Sequence, residues 1–390
     1  MGNFGSGNLG NDGSLEAMID FLRTSKPDAE LVCICVGPEE VKEQFNIPTL
    51  PIRSAAPRHR LLDRIPLSRT ALNMLHTLAT ARKFDVLIAP GTGLLDDYND
   101  TPWGIPVILA TWCAGARLSR TKVAFVSIGA GPIVHPVSRW LMKTAARLVH
   151  YRSYRDQESK DYLLGIGLKV QRDPVYPDLA FGLPAPLAPA APPASGKPLT
   201  IGVGVMKYYG WRGNEEDGAG IYRGYRDKLV QFILRLLDRR MRVRLLVGDG
   251  SDVPVRDEVL AALAAARPDY PREAVVHTDP TRSLGDVMEQ MADTDFVVAT
   301  RFHNIVCALH MRRPCISIGY APKFDVLMAE MGLERFCQHV EQLDVDLLIT
   351  QLDELMAGEA RYRHTLDTVN RAYESRLAEQ ERALLTSILA

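Results

Sequence analysis

Twice in this chain, short apolar runs without polar alternation are each followed by a helical pattern, and a proline-rich stretch separates the two series. Strands that read as unbroken apolar runs are covered on both faces, which is the habit of parallel sheets wrapped by helices. In the first series the runs are Leu31–Gly37, Asp85–Pro90, Lys122–Gly129 and Leu148–Tyr151. Helical patterns fall at Ser14–Arg23, Ser68–Lys83, Gly104–Arg117, Val137–Arg147 and Gln157–Leu164. The second series has strands at Leu199–Val205, Val243–Val247, Ala274–His277, Phe296–Thr300 and Cys315–Ile318. Its helices fall near Arg223–Arg239, Arg256–Ala266, Ser283–Met291, Phe302–Met311 and Lys323–Met331. Alternation of this kind predicts an α/β protein with two Rossmann-like domains, each on a parallel sheet.

The stretch 182–198, GLPAPLAPAAPPASGKP, is dominated by proline and alanine. Proline removes backbone donors and favours extended chain, so a linker is expected there. The predicted organisation is a first domain over 1–181, the linker, a second domain over 199–343 and a helical tail over 344–390 that packs back on the body. Two such sheets predict a cleft, with ligands held beyond the carboxyl ends of the strands.

Composition narrows the ligand. The 390 residues carry a net charge of -1, which gives no general attraction to nucleic acid, so an anionic ligand needs a local cationic cluster. The six cysteines show no CxxC spacing and sit in apolar contexts, which predicts core thiols in a reducing compartment. Neither a membrane span nor a signal region is visible, and a cytoplasmic protein is expected.

Several strand ends hold the residue types that such a cluster needs. At the N-terminus, Gly5-x-Gly7-x-x-Gly10 spells a dinucleotide fingerprint, but only four residues precede Gly5 and the strand at Leu31–Gly37 ends in Gly-Pro before Glu39. That leaves a Gly/Asn-rich turn feeding a helix, whose exposed amides suit an anion or a polar ligand. Gly91-Thr92-Gly93 and Gly129-Ala130-Gly131 end two further strands, where glycine lets backbone approach a ligand. Arg155 follows the next apolar run, with Asp156 placed to cap the helix after it.

The richest stretch is ATRFHNIVCALHMRRPCISIGYAPKFD, residues 299–325. Arg301 and His303 sit where a strand becomes a helix, and the helix N-terminus favours an anion. A guanidinium there can bind carboxylate or phosphate in a two-point contact, and an imidazole can move protons near neutral pH. Tyr320 and Lys323 follow the next strand and offer a second cation. His303, Cys307 and His310 share a helical face, but no further ligand is spaced with them, so a metal site is not expected. The aromatic and cationic run Lys207-Tyr208-Tyr209-Gly210-Trp211-Arg212 follows the first strand after the linker and suits either a sugar contact or loop packing.

With these residues in place, the chain resembles the polysaccharide pyruvyltransferase family. The resemblance lies in Gly5, Gly7-Asn8-Leu9-Gly10, Gly91-Thr92-Gly93-Leu94-Leu95, Gly129-Ala130-Gly131-Pro132, Arg155-Asp156-x-x-Ser159 and Asp178-Leu179-Ala180-Phe181, in that order. It continues through Arg301-x-His303, Ala308, Pro314, Tyr320 and Lys323, and spans roughly residues 2–340. The resemblance implies a GT-B-like fold of two Rossmann-type domains, with a first strand ahead of the Gly-Asn turn for which this chain has too few residues.

It also implies transfer of a pyruvyl group from phosphoenolpyruvate, the donor substrate, to a sugar of a polysaccharide or its lipid-linked precursor, as a ketal. No separate cofactor is required. His303 is then the proton-transfer residue, and Arg301, Arg155, Lys323, Asn8, Gly93, Asn304 and Tyr320 are the expected substrate contacts. A saccharide or glycolipid acceptor would bring the enzyme to membrane-bound polysaccharide machinery as a peripheral partner. The residues leave two other readings open. One is a nucleotide-sugar glycosyltransferase, which needs an acidic residue beside Arg301 and His303 that the sequence does not show. The other is a non-catalytic subunit of a polysaccharide assembly complex.

Overall fold

The computed structural model describes residues 1–53, 68–97, 100–186, 198–210, 217–278 and 280–390. Most of the proline-rich stretch, together with Trp211 and Arg212, lies outside the described residues. The chain divides into two compact units. Unit 1 comprises Met1–Ser6, Ser14–Leu179 and Ser375–Ala390, and unit 2 comprises Gly7–Gly13 and Ala180–Glu374. Gly7–Gly13 thus groups with the second unit, and the C-terminal tail is divided, its last residues, Ser375–Ala390, grouping with the first.

Unit 1 holds β1 (Cys33–Cys35), α2 (Pro38–Phe45), β2 (Thr49–Pro51), α3 (Ser68–Ala81), β3 (Val86–Pro90) and α4 (Ile105–Leu118). It continues with β4 (Lys122–Ile128), α5 (Pro136–Leu148), β5 (Tyr151–Tyr154) and α6 (Gln157–Gly165), while α1 (Leu9–Ser25) begins in unit 2. Strands β3, β4 and β5 form one parallel sheet, and β1 pairs with β2 in another. The place between β1 and β3 is filled by Met1–Phe4, although no strand forms there. The Met1 ammonium donates to Ile88 O at 2.7 Å, the Gly2 N–H to Ile34 O at 3.0 Å, and the Gly37 N–H to Phe4 O at 3.0 Å. The core packs Leu87, Phe125 and Ile128 of the sheet against Trp112, Leu141 and Met142 of the helices. Indole Nε1 of Trp112 donates to Ile52 O, so the largest core side chain is also satisfied.

Unit 2 is built on six parallel strands: β6 (Thr200–Val205), β7 (Arg242–Val247), β8 (Val275–Val276), β9 (Phe296–Ala299), β10 (Cys315–Gly319) and β11 (Cys337–His339). Their order is β11-β10-β9-β6-β7-β8. The connections are the helices α7 (Gly218–Asp238), α8 (Val253–Ala266), α9 (Leu284–Ala292), α10 (Phe302–His310) and α11 (Pro322–Glu330), followed by α12 (Val345–Ala357). Strand order reverses at β6, which has β7 on one side and β9 on the other. In open parallel sheets this switch point is where the strand ends part and leave room for a ligand. Strand β6 is buried along its whole length. The last helix, α13 (Glu359–Ser387), starts in unit 2, where Asn370 Nδ2 donates to Leu309 O. It ends in unit 1, where Gln380 Nε2 donates to the hydroxyls of Ser127 and Ser153 at 2.8 Å each.

Two short strands, β2 and β11, and helix α2 are additional to the elements expected from the sequence. The run Leu148–Tyr151 proves to be the end of α5 and the turn after it, and β5 starts only at Tyr151.

Candidate active site

The carboxyl ends of the unit 2 strands gather the polar residues of one cluster. Beyond β6 comes Lys207, beyond β7 come Asp249 and Asp252, beyond β9 comes Arg301, and beyond β10 come Tyr320 and Lys323. Because all six strands run parallel, every one of these residues leaves the sheet at the same edge.

Arg301 is the centre of the cluster. Its Nε donates to Asp252 Oδ2 and its Nη2 to Asp252 Oδ1, both at 2.7 Å. Asp249 Oδ2 lies 3.7 Å from Nη1. The Asp252 carboxylate is fully buried and also accepts from the Lys207 N–H at 2.8 Å, so one side chain ties the ends of β6, β7 and β9 together. Burial pushes the Asp252 carboxyl pKa up, against the pull of Arg301 and the Lys207 amide. Burial acts downward on Arg301, but Asp252 and Asp249 outweigh it and the guanidinium pKa is raised. Arg301 stays a cation held in one orientation, because the two-point pairing fixes the plane of its fork. These acids correct the expectation that none stands beside Arg301 and His303. Both of them, however, are committed within the cluster: Asp249 Oδ1 accepts from the Ser251 N–H and hydroxyl at 2.9 and 2.7 Å.

His303 lies in the first turn of α10. Its ring packs against the backbone of Gly10, where an added Cβ would fall 1.8 Å from Nδ1. The Gly7–Gly13 segment is anchored in the same unit, since Asn8 forms an antiparallel bridge with Asp249 and the Gly250 N–H donates to Gly7 O at 3.1 Å. The Gly/Asn turn therefore abuts both the acid that faces Arg301 and the imidazole. Lys323 stands over three aromatic rings, with Nζ at 5.1 Å from the centroid of Phe302, 5.6 Å from Tyr320 and 5.8 Å from Phe324. Ring faces attract a cation and help to keep its position. Tyr320 in turn neighbours Tyr208, whose hydroxyl donates to Glu341 at 2.6 Å.

Two expected contacts are used differently. Asn8 Oδ1 accepts from the N–H groups of Gly10 and Asn11, at 3.1 and 3.2 Å, and so caps α1. Asn304 is fully buried and turned into the sheet, where Gly204 and Gly248 leave room for it: a Cβ on Gly248 would meet Oδ1 at 2.4 Å. His310 and Cys307 also point inward, and His310 Nε2 lies 2.8 Å from Leu183 O.

Unit 1 carries its own cluster. Arg155, just past β5, is 7% exposed and faces Asp156 at 3.3 Å and Asp178 at 3.6 Å. Its guanidinium lies flat over Gly129, where a Cβ would be 2.7 Å from Nη2. Asp156 also caps α6 by accepting from the Ser159 N–H at 2.6 Å. Gly93 is an exposed turn residue next to Asp96. The roles that sequence missed are those of Asp249, Asp252, Gly248 and Gly10. The only signal for the acids was Gly248-Asp249-Gly250-Ser251-Asp252 at the end of a predicted strand, which reads as an ordinary turn.

The profile of the polysaccharide pyruvyl transferase family matches residues 8–322. No curated protein matches the chain significantly. Solved structures share its fold at low identity. UDP-GlcNAc 2-epimerase from Methanocaldococcus jannaschii superposes with a TM-score of 0.59 at 12% identity, over 88% of this chain and 89% of that one. Anabaena HepE in complex with UDP-glucose gives 0.58 at 13%, over 96% and 95%. The lipopolysaccharide outer core galactosyltransferase WaaB gives 0.55 at 13%, over 97% and 98%. The fold is thus GT-B-like, and at these identities the likeness extends to fold alone.

Proposed function

The chain belongs to the polysaccharide pyruvyl transferase family, and from that premise we propose that it moves a pyruvyl group from phosphoenolpyruvate to a saccharide. The observation that supports this most is the pairing of a fixed guanidinium, Arg301, with an imidazole, His303, at the switch point of the unit 2 sheet. Phosphoenolpyruvate carries a carboxylate and a phosphate, and cations held by neighbours and not by mobile solvent are what such a donor needs. Arg301 and Lys323 are the proposed anion contacts of unit 2, and Arg155 is a proposed substrate contact of unit 1 in its own right.

The chemistry balances without any further reagent. His303 protonates the methylene carbon of the enol phosphate, and positive charge develops on the adjoining carbon. A sugar hydroxyl attacks that carbon, forms the first C–O bond and returns a proton to the imidazole. A second hydroxyl then displaces inorganic phosphate and closes the ketal, while its proton leaves with the phosphate. Both anionic groups of the donor gain from the same cations as charge shifts onto the leaving phosphate.

A nucleotide-sugar donor is the alternative, and it rests on fold likeness only. Phosphate release that requires both phosphoenolpyruvate and a saccharide distinguishes the two. Saccharide-dependent phosphate release supports the proposal, and hexosyl transfer from a nucleotide-sugar in its place overturns it.

A further inference from the structure

Residues 101–155 contain eight basic residues and no acidic one, against 38 basic and 47 acidic residues in the rest of the chain. Helix α5 lies within this stretch. Its buried side, with Leu141, Met142, Ala145 and Ala146, faces the core of unit 1. The opposite side is exposed and apolar where solvent would favour polar residues: Trp140 is 64% exposed and Val137 42%, with Val134 on the preceding turn at 53%. By helical spacing, Trp140 lies at the middle of this face, with Val137 on one flank and Arg139, Lys143 and Arg147 on the other. None of these three cations pairs with an acid among the described residues. The other cations of the stretch include Arg152 and Arg155, which face Asp173 and Asp178.

The face is also held in shape. Asp97 accepts from the N–H groups of Val134 and His135 at 2.9 and 2.8 Å, and His135 Nδ1 accepts from the Val137 N–H at 3.1 Å. Arg139 Nη2 donates to Ile133 O at 2.7 Å, and Lys143 Nζ bonds Ile166 O. Asp97, the acid that holds this turn, is occupied with backbone amides.

An exposed tryptophan among aliphatic side chains and unpaired cations is the composition that seats a helix at a lipid headgroup boundary. No described helix is long and apolar enough to cross a membrane, so the contact is peripheral. We propose that the exposed face of α5 docks on an anionic lipid bilayer. Charge complementarity selects this occupant: the cations meet headgroup phosphates while Trp140 and Val137 enter the acyl boundary. The proposal does not depend on the transfer chemistry.

The test is flotation of the purified full chain with vesicles of phosphatidylcholine and phosphatidylglycerol at about 7:3, beside vesicles of phosphatidylcholine alone, at about 0.1 M salt. The chain should float with the anionic vesicles only. Arg147→Glu should lower the bound fraction about tenfold, and Trp140→Ala several-fold, with turnover on a soluble saccharide unchanged. Where a variant folds poorly, brominated lipid should quench part of the wild-type tryptophan emission, and Trp140→Phe should lack that part. Absence of flotation, equal binding to neutral vesicles, or a dimer that Trp140→Ala dissociates would each overturn the proposal.

Discussion

The imidazole of His303 rests on the backbone of Gly10, with so little clearance that a Cβ on Gly10 would fall 1.8 Å from Nδ1. Gly10 sits in the first turn of α1, where alanine would ordinarily help the helix by up to about 1 kcal/mol. Gly10→Ala should therefore leave thermal stability nearly unchanged while displacing the ring. An angstrom of misplacement is enough to cost about 100-fold in turnover. Steady-state kinetics and a melting curve on the same preparation check both halves.

Asp252 reaches no substrate in the proposed scheme and acts by holding Arg301. Asp252→Asn keeps the volume and an acceptor for the Lys207 amide but removes the countercharge. Breaking a buried pair in this way costs about 3–5 kcal/mol in stability, discounted here because Arg301 retains some solvent access. The sharper readout is kinetic: the KM for phosphoenolpyruvate should rise at least tenfold. A purely structural role would lower the melting temperature and leave KM alone.

Gly129 gives the same relation in unit 1, since Arg155 lies flat over it. Gly129→Ala should lift the guanidinium and raise a substrate KM several-fold, with kcat less affected. An unchanged KM would remove Arg155 from the substrate contacts.

His310 supplies a pH prediction. Burial lowers its pKa, opposed by the contacts with Leu183 and Asn370. In the unfolded chain the ring titrates near 6.5, so below that pH the unfolded state binds the proton that the folded state refuses. Stability from this residue is complete above about pH 6.5 and falls as the pH drops further. Urea midpoints at pH 7.5 and 5.5 should differ more in the wild type than in His310→Gln.

Much of this was legible in the chain itself. Arg301 and His303 stood out because an unbroken apolar run, Phe296–Ala299, ends directly in charge, and strand ends are where parallel sheets place function. The Arg301–Asp252 pair was not legible. The two residues are 49 positions apart, and their contact depends on β6 lying between β7 and β9, an order that local pattern does not encode. β2 and β11 were missed because three residues give no periodicity to read. Leu148 and Val149 misled in the other direction: their apolar run closes the buried side of α5 and its following turn, and β5 opens on Tyr151 and Arg152. Asn8 and Asn304 stood in the sequence as expected substrate contacts, whereas in the structure Asn8 Oδ1 caps α1 and Asn304 is buried.

In the proposed reaction the proton goes to the methylene carbon of phosphoenolpyruvate while a saccharide takes the pyruvyl group. Running the reaction in deuterated water and weighing the product tests it directly. The product should be a saccharide heavier by pyruvate less one water, with a single deuterium in the ketal methyl group, and His303→Ala should yield none. A hexose-sized gain that requires a nucleotide-sugar, or a ketal methyl without solvent deuterium, would contradict it.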